Sequence, residues 1–512
     1  MAAELRALLD QKHPHYSAMT ELWRRYRDFG EGVDGDEDKR QWLPQGTFES
    51  DENYKQRLRL TQDLGLCPAA LRRIVGALFA EPAQRDYSKL DAKLAAELAA
   101  FDANAGGAGI SIEDFLEQTT EEAAKLGVAF VFVGREPTPG AMSPADEKLP
   151  FCEAYQVEEL INWDVDTRDV PLWVVLRRAT TRQTSPTTPR EGVTIWRVIT
   201  RERVDTYEAV NPAPAIAGAP VVTPSGSAAE PRLVSSVEHR LGLVPVAQHH
   251  GIKLKSFKGR SYVDELSRAD LRAFILGSDQ AMTAHLHGNP RLLIRSRRKI
   301  DEIAADGGRA LVLDPDTNET AEYVQLDSGG IEAVAAMQRD VGERGATLAG
   351  MDPGTFATQG DPKARSGAAM QWSFSAAEGP TLTKLWKWLV GADLEIHEIA
   401  TRYLLPAGAT PEAHERVFQG SITRPKNWSM MPVADLIDVF TTVRDDVKSP
   451  TWRKETAKQI ATRAPGNLPP EKVKAILQEI DAADYAAVEP APPPVPMPHD
   501  PAAAMHDAMQ TA

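Results

Sequence analysis

The chain has two cysteines among its 512 residues, Cys67 and Cys152, and each is isolated in the sequence. A disulfide framework or a four-cysteine zinc site needs more thiols than this, so both are excluded by count. Isolated thiols are typical of proteins kept in a reducing compartment. We therefore expect an intracellular protein without structural disulfides.

Long apolar runs are also missing. No segment approaches the roughly 18–20 consecutive apolar residues of a membrane-spanning helix. The N-terminal sequence MAAELRALLDQKHPHYS lacks the basic-then-apolar order of a signal peptide. We expect neither a membrane span nor export by the signal-peptide route.

Positive charge is in deficit, because the formal net charge is −15. Proteins that grip nucleic acid tightly are usually basic, so this balance argues against such a coating. An acidic wall repels phosphate and lets a duplex slide past it, whereas a basic wall holds the duplex. The composition is thus compatible with a protein that handles DNA without gripping it.

Catalytic signatures are absent as well. There is no G-x-x-x-x-G-K-[ST] phosphate loop and no G-x-S-x-G elbow, and the glycine-rich segment 104–111 does not follow a strand. The histidine pairs His285/His287 and His249/His250 lack an H-E-x-x-H or C-x-x-C companion, which favours surface or helix-end histidines over a metal site. We expect no enzymatic activity, no metal and no cofactor.

Helical periodicity dominates the first part of the chain, and strand-like patterns follow it. Residues 15–29 place Met19, Leu22, Trp23 and Tyr26 on one helical face, and Gly30 and Gly32 end this helix before a polar loop, EGVDGDEDKRQ. Further helices are predicted at 53–66, 68–79, 88–101 and 111–125, and strands at 127–134, 151–156, 171–181, 193–201, 203–210, 232–240 and 244–249. Short strands separated by turns favour an antiparallel or mixed sheet, so the predicted fold class is α+β.

Two segments have the composition of irregular chain. Residues 211–231 are rich in Pro, Ala, Gly and Ser and predict a mobile insertion between strands. The Pro/Ala-rich tail, residues 486–512, predicts disorder.

The stretch from Ser261 to Leu405 is the most informative part of the sequence. A helix at 262–287 is followed by strand candidates at 291–299, 309–314 and 321–326, a second helix from Ile331, a Gly/Pro loop at 350–367 and a long helix at 377–405. Helices at 432–446, 451–462 and 470–484 complete the chain. The small β-unit is too short to bury a core alone, so we expect a protruding hairpin that neighbouring chains cover. This favours a ring-forming assembly component over an enzyme.

Charged and aromatic residues in this stretch have two interpretations each. The basic cluster of the β-unit contacts DNA phosphate or an acidic partner, or it is a solvated face paired with Asp301 and Glu302; its members are Arg291, Arg295, Arg297, Arg298 and Lys299. Lys363 and Arg365 in the Gly/Pro loop touch passing phosphates or belong to an ordinary surface loop. For Trp386 and Trp388, packing in a core or subunit interface is favoured over base stacking.

The order of short motifs resembles the portal proteins of tailed bacteriophages, in particular a branch often described only as a domain of unknown function. The motifs are W-R-R-Y-R-D-F-x-x-G (23–32), W-L-P (42–44), E-x-x-Y-x-x-R-L (52–58), G-A-L-F (76–79), G-V-A-F-V-F-V (127–133), I-N-W (161–163), G-L-V-P-V (242–246), S-Y-V-D-E-L (261–266) and A-R-S-G-A-A-M (364–370). The likeness spans most of residues 15–485, and the 211–231 insertion and the tail depart from it.

The resemblance implies a portal-protein fold and a role in the virion. It implies a wing at 1–250, stem helices at 262–288 and 330–349, a clip at 289–328, a tunnel loop at 350–367, a long helix and return to the wing at 368–432, and a helical crown at 433–485. Twelve copies would form a ring at one capsid vertex, assembled in the host bacterial cytoplasm. Double-stranded DNA would pass through the ring during packaging and ejection, and terminase, head-completion or adaptor proteins and the capsid protein would be its partners.

Two other classes stay open at this point. One is a different phage head component, such as a minor head or adaptor protein. The other is a metal-dependent or nucleic-acid-modifying enzyme whose site is assembled from scattered residues.

Overall fold

A computed structural model describes most of the chain. The described residues are 2–47, 49–136, 148–183, 185–186, 190–211, 230–239, 241–288, 291–295, 320–324, 329–348, 367–406, 412, 415–425, 437, 440, 449–463 and 470–482. The chain divides into two compact units, Met1–Trp428 and Ser429–Ala512. The fold class is α+β, as the sequence predicts.

Seven helices open the first unit: α1 (Ala2–Leu9), α2 (Pro14–Glu31), α3 (Asp36–Trp42), α4 (Asp51–Leu60), α5 (Leu66–Leu78), α6 (Ala92–Ala103) and α7 (Ile112–Leu126). Local chemistry sets their ends. Ser111 accepts a hydrogen bond from the Asp114 backbone N–H at the start of α7, and Gly127, with φ of 97°, ends it. Pro14 occupies the first turn of α2, whose buried face carries Tyr16, Trp23, Tyr26 and Phe29.

Two antiparallel sheets follow. The three-stranded sheet has the order β3–β2–β9, with β2 (Val128–Gly134) between β3 (Phe151–Tyr155) and β9 (Val246–His250). The five-stranded sheet runs in chain order through β4 (Leu160–Val165), β5 (Pro171–Arg182), β6 (Glu191–Thr200), β7 (Arg203–Asn211) and β8 (Arg232–Glu238). In β5 and β6 the register pairs Trp173 with Thr200 and Arg182 with Glu191.

Strand β2 separates two hydrophobic cores. Its even-numbered residues, such as Phe130 and Phe132, join the core formed with α2 and the five-stranded sheet. Its odd-numbered residues, Val131 and Val133, join the core formed with α6, α7 and the long helix described below. Because successive strand residues point to opposite faces, an unbroken apolar run is what a strand buried on both sides requires.

A close backbone contact fixes the start of β2. A Cβ atom on Gly259 would lie 2.0 Å from the carbonyl oxygen of Gly127. Gly259 belongs to β11 (Lys258–Arg260), which pairs with β10 (Ile252–Lys255) in a small hairpin. Glycine is needed here because any side chain would separate the hairpin from the end of α7.

The rest of the first unit contains three long helices and two short ribbons. The helices are α8 (Asp264–Gly288), α9 (Gly329–Leu348) and α10 (Gly367–Leu404). One ribbon pairs β12 (Arg291–Arg295) with β13 (Thr320–Val324), and the other pairs β1 (Gln84–Asp86) with β14 (Ser421–Thr423). The second unit contains α11 (Pro450–Arg463) and α12 (Pro470–Ala482), joined by ion pairs from Lys454 and Lys458 to Asp481.

Several predicted boundaries were wrong. The polar loop after Gly32 contains α3, whose acidic first turn and basic end stabilise a helix through its dipole. The long helix begins at Gly367 rather than at residue 377, and β4 and the short strands β1, β10, β11 and β14 were not predicted. The 211–231 insertion from 212 to 229, the strand candidate 309–314, the loop 349–366 and the tail lie outside the described residues, as does most of the predicted helix 432–446. None of the described helices is long and apolar enough to cross a membrane.

Candidate functional site

The predicted β-unit contains an antiparallel ribbon between α8 and α9. The register pairs Arg291 with Val324, Leu293 with Glu322 and Arg295 with Thr320. Arg291, Leu293 and Arg295 are thus alternate residues of the strand β12. Arg297, Arg298 and Lys299 lie outside the described residues, as do Lys363 and Arg365 of the predicted tunnel loop.

Helices α8 and α9 pack closely against each other. A Cβ atom on Gly345 would lie 2.7 Å from the Cβ of Ala269 and 3.4 Å from a methyl group of Leu266. Further along, the Gln338 side chain donates a hydrogen bond of 3.4 Å to the carbonyl oxygen of Ala273. Gly345 thus permits a close crossing that a larger residue would open.

The first half of α8 is anchored in the helical body by polar contacts. Asp264 accepts hydrogen bonds from the Tyr26 hydroxyl at 2.8 Å and from the Arg25 guanidinium at 3.1 Å, and Arg25 also reaches the Ser267 hydroxyl. Burial, together with the hydrogen bond to Asp264, raises the pKa of Tyr26. Partly buried charge-assisted bonds of this kind are stronger than surface pairs, so they fix the root of α8.

A second anchor lies one and a half turns further along α8. Asp270 is fully buried and accepts a hydrogen bond of 3.1 Å from the backbone N–H of Cys67, at the start of α5. Burial and the neighbouring Asp63 carboxylate raise the pKa of Asp270. The α5 N-terminus offers unpaired N–H groups and a positive dipole end, which suits an acidic acceptor.

The α8–α9 pair also exposes apolar side chains. Ile275 of α8 is 40% exposed and Met337 of α9 is 48% exposed. Most of the residues of α9 whose burial is described are exposed or half-buried, and Gly342 and Gly345 are the buried ones among them. The hairpin is therefore firmly rooted through α8 while α9 presents an uncovered face.

The long helix α10 contributes a buried ionic cluster, which the sequence reading missed. Asp393 and His397 lie four residues apart and are both fully buried. Asp393 pairs with Arg85 of β1 and with Arg424 after β14, and His397 pairs with Asp393 and with Asp102 of α6. The two arginines also pair with Glu113 of α7. Three cations and three carboxylates therefore meet where α6, α7, α10, β1 and the residue after β14 come together.

His397 is held as an imidazolium by two carboxylates. Its Nε2 lies 2.9 Å from the Asp102 carboxylate. Its Nδ1 lies 3.0 Å from the Asp393 carboxylate and 2.8 Å from the backbone carbonyl oxygen of Asp393. Burial by itself lowers the pKa of His397, but the hydrogen bonds to Asp102 and Asp393 outweigh it and raise the pKa to about 9. The Tyr87 hydroxyl donates to Asp102 at 2.6 Å. The opposite charges offset part of the free-energy cost of burying them. The cluster therefore holds α10 against β1, α6 and α7.

The second histidine pair was assigned wrongly. His249 and His250 lie in β9 and are buried, whereas surface or helix-end positions were expected. Burial lowers the pKa of each to about 3, so both are neutral. The side chains of His285 and His287 lie outside the described residues. In the described part of the chain, no group of three or more His, Cys, Asp or Glu side chains is arranged to hold a metal ion.

The two tryptophans of α10 differ in their surroundings. Trp386 packs against the second core and donates a hydrogen bond of 3.1 Å to the carbonyl oxygen of Arg424. Trp388 lies beside His250, with ring centroids 6.2 Å apart, and beside two lysines. The packing interpretation is confirmed for Trp386.

Solved structures similar to the chain come from gene transfer agent particles. The chain is similar to a protein in the neck of an empty particle computed with C6 symmetry, at 11% identity and a TM-score of 0.37, covering 85% of this chain and 96% of that one. A protein in the virion of the native particle is similar at 12% identity and a TM-score of 0.37. The similarity covers 85% of this chain and 95% of that one. The chain is also similar to a protein in the neck of the native particle computed with C12 symmetry, at 12% identity and a TM-score of 0.38. That similarity covers 84% of this chain and 94% of the other.

No protein-family model matches the chain, and no curated protein matches it. These structural similarities are low, with TM-scores of 0.37 to 0.38.

Proposed function

We propose that this chain is a structural component of a phage-like head–tail connection, and specifically a portal protein without enzymatic activity. The observation that carries the proposal is the α8–α9 hairpin. It is anchored at the root of α8 by Asp264 and Asp270, and a two-stranded ribbon connects its two helices.

The uncovered parts of this hairpin favour a ring. A two-stranded ribbon is marginally stable alone in water. The exposed Ile275 and Met337 are stabilised if neighbouring copies cover them. A head-to-tail contact that repeats by rotation closes into a ring and covers every copy in the same way. The ring would provide the channel for packaging and ejecting double-stranded DNA.

Under this proposal each segment has a position. Helices α8 and α9 form the stem, residues 289–328 the clip and residues 350–367 the tunnel loop, where Lys363 and Arg365 touch passing DNA. Helix α10 is the long wing helix and residues 433–485 are the crown. Twelve copies would stand at one capsid vertex, with terminase supplying the ATPase motor and adaptor and capsid proteins as further partners.

Electron microscopy of the purified protein tests the ring. We expect closed rings with a central hole wide enough for a DNA duplex, and a native mass that is an integer multiple of 56.0 kDa. A protein that stays monomeric at the concentrations used for assembly, or that hydrolyses nucleic acid, would contradict the proposal.

Charge reversal tests the clip. The variant R295E/R297E/R298E should lose terminase or adaptor binding in a pull-down while its circular dichroism spectrum is unchanged. The matched control K55E/R59E/R72E reverses three exposed cations of α4 and α5 and should bind normally. Equal partner binding by the two variants would remove the docking role of the basic cluster.

A further inference from the structure

Four lysines lie on two elements that contact each other, the strand β10 and the helix α10. Lys253 and Lys255 lie on β10, and Lys384 and Lys387 lie on one face of α10; all four side chains are exposed. Within the described residues none of them forms a salt bridge, although the chain carries a net charge of −15. We call these residues, together with Trp388, the lysine surface.

Trp388 organises the centre of the lysine surface. The ammonium groups of Lys253 and Lys387 lie 5.8 Å and 5.2 Å from the centroid of its ring. Cation–π attraction of this kind holds flexible lysine side chains near one position, which reduces the entropy lost when a ligand binds. Because the lysines lie over the indole, the surface offers ammonium groups to a ligand more than it offers a bare aromatic face.

Two titratable side chains, Glu395 and His250, interact electrostatically with Lys253. Glu395 accepts a hydrogen bond of 3.0 Å from the backbone N–H of Gln248, and burial raises its pKa to about 7. His250 is 2% exposed, and neither ring nitrogen has a hydrogen-bond partner in the described part of the chain. Burial and the nearby Lys253 keep this imidazole neutral. The surface is therefore net positive near neutral pH, because four lysines face one partly ionised carboxyl.

We propose that the lysine surface binds the phosphate backbone of a nucleic acid without regard to base sequence. Ammonium groups bind phosphate as point charges, and the covered indole leaves little room for base stacking. A protein partner is less well matched, since lysine is depleted at protein interfaces and the one aromatic ring is occupied by cations. This site is separate from the clip and the tunnel loop, and its binding does not require the chain to form a ring.

Fluorescence anisotropy with a labelled random-sequence duplex tests the proposal. Four neutralised phosphates predict a slope of about −3 to −4 in a plot of log affinity against log salt concentration. The variant K253Q/K387Q should reduce that slope by about 2 and weaken binding at low salt by about tenfold or more. The control K55Q/K89Q removes the same charge from exposed positions elsewhere and should leave slope and affinity unchanged.

Other variants keep the test valid if K253Q/K387Q does not fold. K255Q/K384Q alters the two lysines that do not lie over Trp388, and it should also reduce the slope by about 2. If K253Q/K387Q and K255Q/K384Q lose no more DNA affinity than the control K55Q/K89Q, the proposal is overturned. Competition by polyglutamate as strong as that by DNA would also overturn it, as would binding of tripolyphosphate without binding of DNA. The assembly state, measured by native mass on the same samples, separates this result from the ring proposal.

Discussion

Replacing His397 with glutamine removes the central cation of the buried cluster while keeping a polar side chain. Asp393, Asp102 and Glu113 then face only Arg85 and Arg424, which leaves one carboxylate uncompensated in a buried site. Removing one partner of a buried charge pair costs about 3–5 kcal/mol. The variant should therefore be markedly less stable than the wild-type chain near neutral pH.

The pH dependence gives the sharper expectation. Between pH 6.5 and about 9 the folded chain holds a proton on His397 that the unfolded chain has released. Stability from this group is fully present below pH 6.5 and is lost as the pH rises through about 9. A rise of the pKa from 6.5 to about 9, at ~1.36 kcal/mol per unit, corresponds to about 3 kcal/mol. The stability difference between wild type and H397Q should shrink by about this amount from pH 6 to pH 10.

Urea unfolding followed by far-UV circular dichroism measures this difference. Protein concentration is held constant because self-association adds a concentration-dependent stability. The control is H239Q, since burial lowers the pKa of His239 to about 4 and its contribution changes only between pH 4 and 6.5. A wild-type-to-H397Q difference that stays constant between pH 6 and pH 10 would refute the imidazolium assignment.

Three further predictions concern the hairpin and the thiols. Gly345→Leu should lower the free energy of unfolding, measured by thermal denaturation, by about 1–3 kcal/mol, because the new side chain collides with Ala269. Gly342→Leu, at a position where a Cβ meets no atom within 4 Å, should lower it less. Asp264→Ala should lower the free energy of unfolding by about 2–4 kcal/mol, because it removes the carboxylate that accepts hydrogen bonds from Arg25 and Tyr26. It should also increase amide hydrogen exchange at the start of α8. Unchanged exchange would argue that Asp264 does not hold this end of the helix. The buried thiols Cys67 and Cys152, whose pKa values burial raises, should resist a thiol reagent in the native protein and both react in urea; rapid native labelling would contradict their burial.

The residues that sequence periodicity located best are those with strong local signals. The stripe of α2, the start of the helix α7 near residue 111 and the apolar run of β2 depend on neighbours in the sequence, and the structure has them where they were predicted. The ribbon strands that begin at 291 and 320 were also predicted, at 291–299 and 321–326.

Short or charged features were missed for physical reasons. Three-residue strands such as β1 and β14 show no periodicity, because their pairing is decided by chain segments more than three hundred residues apart. Asp393 and His397 continue the apolar stripe of Leu382, Leu385 and Leu389 at helical spacing. Charged residues are rarely buried without partners. An acid and a histidine four residues apart in an apolar stripe could therefore have predicted a buried ionic cluster.

By itself, the amino-acid sequence located most of the longer helices and strands and their apolar faces, and it showed that the chain lacks the motifs of a nucleotide-binding or metal-dependent enzyme. The tertiary structure decided which charges meet. Arg85, Glu113 and Asp393 are separated along the chain, as are Lys253 and Lys387, and only the packing of α10 on the body brings them together. Local patterns specify elements because their energetics are local, whereas an ionic cluster or a binding surface depends on distances that only the folded chain sets.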